Sequence, residues 1–465
     1  MEIKLNIHGG VKMKKIKLLS MLMSLILAIG LLAGCGSKGT QDSTGKQSDT
    51  TKQVENNQES KSTETDKAKE VKITMLNSKG EIQAQLEEAA KTFTVDNPNI
   101  TVEIVPASAG QSPFEKISTM YASGNAPALA MLDPTDIPNF ADKFLDLSNE
   151  KWVADASDKT LDTVTIDGKI MAFPFAVEGA GFIYNKEVLD KAGVDPASIK
   201  TRKDLKDAFD KVKAAGFEAL AISPMDWSLA GHFISISYAA QSNDSVKVNN
   251  FLEDLKTGKI DLASNAQFNG LMDTFDMMKE YNMYKNDPLA ATYEANQQAM
   301  GSGEVGFWFM GNWTWPQIYE FAQREEGFGF VPVVISDNAD DYGNEGIPVG
   351  VTKYIGIDKE NNNEDQQAAA KKFLEWLVYN ENGQDAVVNK ANIIPAFKNI
   401  TLEPKDPLAK SVKEYMTSGN TIQFMTTMPA DHWSTVGASM QKYLAGIIDR
   451  DALIEEVETY WKNVK

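Results

Sequence analysis

Catalytic chemistry has little to work with in this sequence. It holds three histidines, His8, His232 and His432, and a single cysteine, Cys35. No H-E-x-x-H, no Cys/His cluster and no G-x-S-x-G is present, so zinc peptidases and α/β-hydrolases lack their parts. The acidic stretch "DNADDYGNEG" (337–346) does not place its oxygens at EF-hand spacing and reads as a solvated loop rather than a calcium site. Carboxylates abound, but a glycosidase pair is defined in space and spacing cannot nominate one. The reading is a protein that is not an enzyme and needs neither cofactor nor metal.

Aromatic placement is more specific. "GFWFMGNWTWPQI" (306–318) holds Trp308, Trp313 and Trp315. Trp227 lies in "SPMDWSLAGHF" and Trp433 in "MPADHWSTV". Trp227, Trp313 and Trp433 each follow turn-forming residues, with Asp226, Asn312, Asp431 and His432 beside them. Flat rings of this kind cover the apolar C–H face of a pyranose, and neighbouring polar groups hydrogen-bond its hydroxyls. Trp376 and Trp461 fall on helical stripes and Trp308 inside an apolar strand, so these three read as core. Gly311 and Asn312 end that strand just before Trp313, which frees Trp313 for a ligand.

The elements that must hold these residues follow from periodicity. Val71 to Leu76 read as a buried strand. Ile82, Leu86, Ala89 and Phe93 then share one helical face, "DNP" stops the helix, and Ile100 to Val105 make a second strand. Strand, helix, strand in so short a span is the unit of a parallel sheet. Asn363, with Gln366 three residues on, caps a helix whose stripe is Ala370, Phe373, Leu374 and Leu377. A last amphipathic helix carries Leu453, Val457, Trp461 and Val464. The fold class is α/β. Ligands of open α/β sheets sit beyond the carboxyl ends of the strands, which singles out "NSKGE", "LDPTD" and "AVEG".

Charge and the amino terminus narrow the setting. Lys14, Lys15 and Lys17 precede an apolar run, Leu18 to Leu32, too short for a comfortable membrane span, and "LLAGC" follows. Residues 1–34 thus read as a signal peptide starting at Met13, and the lone cysteine at the cleavage point has no use in an internal disulfide. "LLAGC" resembles a bacterial lipoprotein box, which implies lipidation of Cys35. The rest of residues 35–70 reads as a stalk whose only Val, Leu or Ile is Val54, a composition that cannot offset its ordering entropy. The whole chain carries −19; removing the five lysines and one glutamate of residues 1–34 leaves about −23. Nucleic acid and anionic ligands suit such a chain poorly.

Together these stretches resemble the extracellular solute-binding proteins of sugar ABC transporters, the wider family of the maltose-binding protein. "FTVDNPNITVEIV", "FAVEGAGFIYNKEVLDKAGV", "EVGFWFMGNWTW", "GQDAVVNKANIIPAF" and "MPADHWSTVGASMQKYLAG" follow one another in family order. The resemblance implies a two-lobed periplasmic-binding-protein fold (type II) with hinge crossovers near Glu178, Val333 and Phe397. Residues 71–178 plus 333–397 would form an N-lobe, and 179–332 plus 398–465 a C-lobe. It implies stacking by Trp227, Trp313 and Trp433, polar contacts from Lys79, Glu178, Asp226 and Asn312, and a ligand-facing Asp431–His432 pair. Asp133 and Asp136 stand for the N-lobe contacts, where the sequence departs from the family: Ala128 follows Pro127 in place of an aspartate, and Leu76 replaces a tryptophan. The expected protein is a monomer on the outer face of the bacterial cytoplasmic membrane, lipid-anchored at Cys35. It would capture a mono- or oligosaccharide and deliver it to ABC permease subunits served by a cytoplasmic ATPase. A lipid-anchored glycosidase and a receptor for a non-sugar solute are the alternatives.

Overall fold

A computed structural model describes residues 69–107, 112–426 and 428–464. The expected signal peptide, Cys35 and all but the last two residues of the stalk lie outside the described residues.

Nine strands make one continuous sheet: β1 (Val71–Asn77), β2 (Ile100–Pro106), β3 (Leu129–Leu132), β4 (Phe173–Asn185), β5 (Glu218–Ala221), β6 (Val305–Gly311), β7 (Phe328–Val331), β8 (Ile347–Ile357) and β9 (Thr421–Gln423). Their order is β2-β1-β3-β8-β4-β6-β5, with β9 beside β8 and β7 beside β4. Helix α1 (Gln83–Asp96) joins β1 to β2 in parallel, burying Leu86, Ala89 and Phe93, as the 3.6-residue pattern requires. Helices α2 (Tyr293–Ser302) and α3 (Trp315–Ala322) flank β6. Later come α4 (Glu364–Tyr379), α5 (Pro407–Ser418), α6 (His432–Leu444) and α7 (Arg450–Asn463). The Asn363–Gln366 capping box at α4 forms as its sequence predicts.

β4 carries the chain from one lobe to the other. Its first half pairs with β8, from Phe173 to Gly179, and its second half lies between β6 and β7. Every residue of β4 but Tyr184 is buried, the mark of a strand covered on both faces. One apolar core gathers around Phe93, Phe173, Phe373 and Trp376, another around Phe209, Phe233, Phe275 and Trp461. Trp152, whose surroundings in sequence decide nothing, is buried against Phe173 and Phe397.

Near two of the expected crossings the chain keeps to a core it has already entered. Val333 and Val334 pack in the second core, and Asn344 ties the following loop to the carbonyl of Lys200. Apolar residues at 331–335 follow their burial partners rather than the strand's end. In that loop residues 337–340 and Glu345 are exposed, as its acidity implies, while Asn344 is buried and accepts from the Ile335 N–H at 2.7 Å. Phe397 and Ile400 both pack in the first core, ahead of the start of α5. α5 then packs on β7, where the Phe330 N–H donates to Ser411 Oγ at 3.1 Å.

Candidate functional site

Between the lobes lies a cleft of about 630 Å3. One wall grows from strand ends. At the end of β1, the Lys79 N–H donates to Asn77 Oδ1 (2.8 Å), and Asn77 Nδ2 donates to the Lys79 carbonyl (2.9 Å). That turn aims Lys79 inward, and only 3% of the residue is exposed. Its ammonium sits between Glu81 Oε1 (2.7 Å) and Glu178 Oε1 (2.5 Å), while Thr352 Oγ1 donates to Glu178 Oε2 (2.5 Å). Burial opposes the charge on Lys79, but Glu178 and Glu81 outweigh it and hold its pKa above the ordinary lysine value. Burial likewise penalises the Glu81 carboxylate, and Lys79 overrides it, so that pKa falls. Lys353 Nζ donates to Asp133 Oδ1 at 2.5 Å. Thr352 and Lys353 are consecutive yet both line the cleft, because the β8–β4 register slips on either side of Lys353.

The opposite wall is aromatic. Residues Trp227–Phe233 form a π-helical turn, so Trp227 and His232, five apart, face the same way with ring centroids 5.7 Å apart. His232 stands among Trp313 (5.0 Å), Phe424 (5.2 Å) and Trp433 (6.0 Å). Tyr293, at the start of α2, meets Trp227 edge-on at 5.8 Å. Burial, reinforced by the positive charge of Lys353, pushes the His232 pKa down to about 3, so the imidazole is neutral at physiological pH. Ser78 Oγ, His232 Nδ1 and Gln317 Oε1 are buried at the cleft with no protein partner. Buried polar atoms are rarely left so, and three at one cleft leave hydrogen-bonding capacity unused there. Among the described residues, no group of three His, Cys, Asp or Glu side chains could hold a metal ion.

One wall of rings thus faces one of hydrogen-bonding groups. The family described as bacterial extracellular solute-binding protein matches residues 88–417. The chain belongs to that family. An extracellular-binding protein of an ABC transporter from Pyrococcus horikoshii is 27% identical over 56% of this chain, which spans only 54% of that relative's length. The sn-glycerol-3-phosphate-binding periplasmic protein of Escherichia coli K12 is 23% identical over 66% of this chain and 70% of its own. Among solved structures, the raffinose complex of the solute-binding protein RafE superposes with a TM-score of 0.68 at 18% identity, over 84% of this chain and 99% of that one. A chitin oligosaccharide binding protein gives 0.69 at 20% identity, over 84% and 98%. These similarities show the two-lobed fold of solute-binding proteins, and the curated relatives are binding proteins rather than enzymes.

Within this solute-binding protein, Lys79, Asp133, Glu178, Trp227, Trp313 and Trp433 line the cleft. The other expected contacts do not. Asp226 turns back, its carboxylate accepting the Trp227 N–H at 2.7 Å. Asn312 is buried and accepts the Gly179 N–H at 2.9 Å, pinning the end of β6 to the crossing strand. Asp136 sits behind Asp133, and burial and then the Asp133 charge push its carboxyl up to about 7, against the pull of Lys353. Asp431 accepts from Tyr460 Oη at 2.9 Å in a separate groove between α6 and α7. His432 is wholly buried in the second core against Tyr238, Tyr460 and Trp461, and burial pushes its pKa down to about 3. Successive residues of a helix point about 100° apart, and of 431, 432 and 433 it is Trp433 that lines the cleft. Sequence reasoning missed Glu81, His232, Tyr293, Thr352, Lys353 and Phe424. Only Glu81 carried a usable signal there, inside "NSKGE".

Proposed function

We propose that the protein captures a neutral sugar or oligosaccharide between its lobes and hands it to an ABC importer, from a lipid anchor at Cys35 and a flexible stalk. The acidic balance of the cleft carries this reading: Glu81, Asp133, Glu178 and Glu294 outnumber Lys79 and Lys353. Both lysines already face carboxylates and, among the described residues, no arginine lines the cleft, so a phosphate would meet Glu81, Glu178 and Asp133 with neither lysine uncommitted. A polyhydroxylated neutral ligand instead finds ring faces on one wall and both donors and acceptors on the other. The ligands named for the raffinose-bound and chitin-oligosaccharide-binding structures agree with this choice. The glycerol phosphate of the Escherichia coli relative does not.

The N-lobe would comprise 71–178 and about 347–400, and the C-lobe 179–346 and about 407–464, joined at β4, β8 and the stretch before α5. A ligand touching both walls favours the closed arrangement of such lobes. Thermal melts against neutral mono- and oligosaccharides and against sn-glycerol 3-phosphate test the reading. Neutral sugars are expected to raise the melting temperature and emerge uncleaved from incubation. Stabilisation by glycerol phosphate alone would overturn it, and shortened products would favour a glycosidase.

A further inference from the structure

Two of the cleft's indoles lie against glycine backbone. A Cβ built on Gly311 would fall 1.9 Å from Trp313 Cζ3, and one built on Gly231 would fall 2.9 Å from both Cε2 and Nε1 of Trp433. Neither glycine is there for its backbone. Gly311 has φ −107° and ψ 172°, an extended conformation open to any residue, and Gly231 lies in the π-helical turn without a positive φ. A helical glycine is less favourable than alanine by about 1 kcal/mol, so Gly231 carries a cost that its own turn does not explain. α6 also approaches the same turn closely: a Cβ on Gly437 would meet Asp226 Cβ at 2.5 Å and its Cα at 2.7 Å. At Gly437 the obstacle includes backbone. At Gly231 and Gly311 the three nearest atoms all belong to the ring.

We infer that Gly231 and Gly311 are positioning residues for the cleft, seating the indoles of Trp433 and Trp313 at the depth a ligand requires. A methyl group at either place leaves the ring present but lifts it into the space the ligand occupies. The inference rests on the proposed reading of the cleft as a ligand site, and its test separates the two. The probe is whichever of raffinose, stachyose, maltose or a chitooligosaccharide stabilises the protein most in thermal melts.

For Gly231→Ala, the melting temperature of the ligand-free protein should hold or rise, while affinity by calorimetric titration falls at least tenfold. In a Trp433→Ala background, Gly231→Ala should cost no further affinity, because the ring it displaces is gone. A Gly231→Ala protein that binds within twofold of the parent, or a loss undiminished in the Trp433→Ala background, overturns the inference. If Gly231→Ala melts early, Gly311→Ala paired with Trp313→Ala is the second cycle, with the same expected and overturning results. If no probe binds, or Trp433→Ala binds normally, the reading of the cleft has failed instead. Crystal structures of the parent and Gly231→Ala then decide the seating: a displaced Trp433 ring supports it, and an unmoved one overturns it.

Discussion

Single indoles in this chain either line the cleft or fill a core, and truncation distinguishes a ring that stacks on a ligand from one that holds the fold. Trp313 and Trp433 are half-buried at the cleft, whereas Trp376 is buried, packed on Phe93 and Phe373, with its Nε1 donating to Asp96 at 2.8 Å. Trp313→Ala and Trp433→Ala should each weaken sugar binding by about 2–4 kcal/mol, summing lost area and stacking, with ligand-free melting little changed. Trp376→Ala should do the reverse, destabilising the fold by about 3–5 kcal/mol. Titration calorimetry and melts on the three variants decide it; an early-melting Trp313→Ala that binds normally would make Trp313 core. Asp136 supplies a pH test. Its carboxyl is raised from 3.8 to about 7 in the folded protein, which therefore binds that proton more tightly than the unfolded chain. The associated stability is complete below pH 3.8 and lost as pH rises through 7. Asp136→Asn should remove that loss, matching the parent at pH 4 and exceeding it at pH 8 by on the order of 2–4 kcal/mol in urea melts. Equal pH slopes for the two proteins would refute it.

Elements were legible in the sequence where one period ruled them, and illegible where the structure breaks a period. β1, α1, β2 and α4 announce themselves by alternation, stripe and cap. His232 does not, because a π-helical turn brings it beside Trp227 where an α-helix would turn it away. Thr352 and Lys353 were hidden by a register slip, since a regular strand sends neighbours to opposite faces. Asp431 and His432, a pair implied by the resemblance, stand elsewhere than the cleft: Asp431 in the groove between α6 and α7, and His432 buried in the second core. Element ends also carry chemistry. At the start of α5, Asp406 caps the helix through the Leu408 N–H (2.7 Å), yet it is fully buried, with Oδ2 unpartnered. Burial pushes its pKa up to about 8, against the backbone N–H groups of Ala409 and Leu408. Asparagine caps as well and carries no charge, so Asp406→Asn should melt at or above the parent at pH 8. Asp406→Ala should lose about 1 kcal/mol with the cap. A large loss in Asp406→Asn would mean the ionised carboxylate is needed.

At the scale of the whole molecule, resemblance rather than periodicity carried the two-lobed reading. In sequence "AVEG" reads as lying beyond a strand's end, but residues 176–179 lie inside β4, whose thirteen residues are all buried except Tyr184. The stretch 331–346 gives no sign of its own, because apolar residues after a strand look alike whichever core receives them. The proposed junctions sharpen the mechanical expectation. Three crossings, two of them paired strands, leave the lobes few ways to move other than about the line through Gly179, Val349 and the segment before α5. Lys79, Glu178, Thr352 and Asn312 cluster at that line and tie it with short hydrogen bonds, so bending should be confined to backbone beside them rather than spread through the lobes. A ligand bridging Lys353 on one wall and Trp433 on the other gains both sets of contacts only when the walls approach. Small-angle scattering should therefore show a smaller radius of gyration with saturating sugar than without. The same sugar should leave Trp313→Ala/Trp433→Ala unchanged at concentrations that close the parent. An unchanged radius in the parent, with calorimetry showing the site filled, would mean that binding in this cleft does not close it.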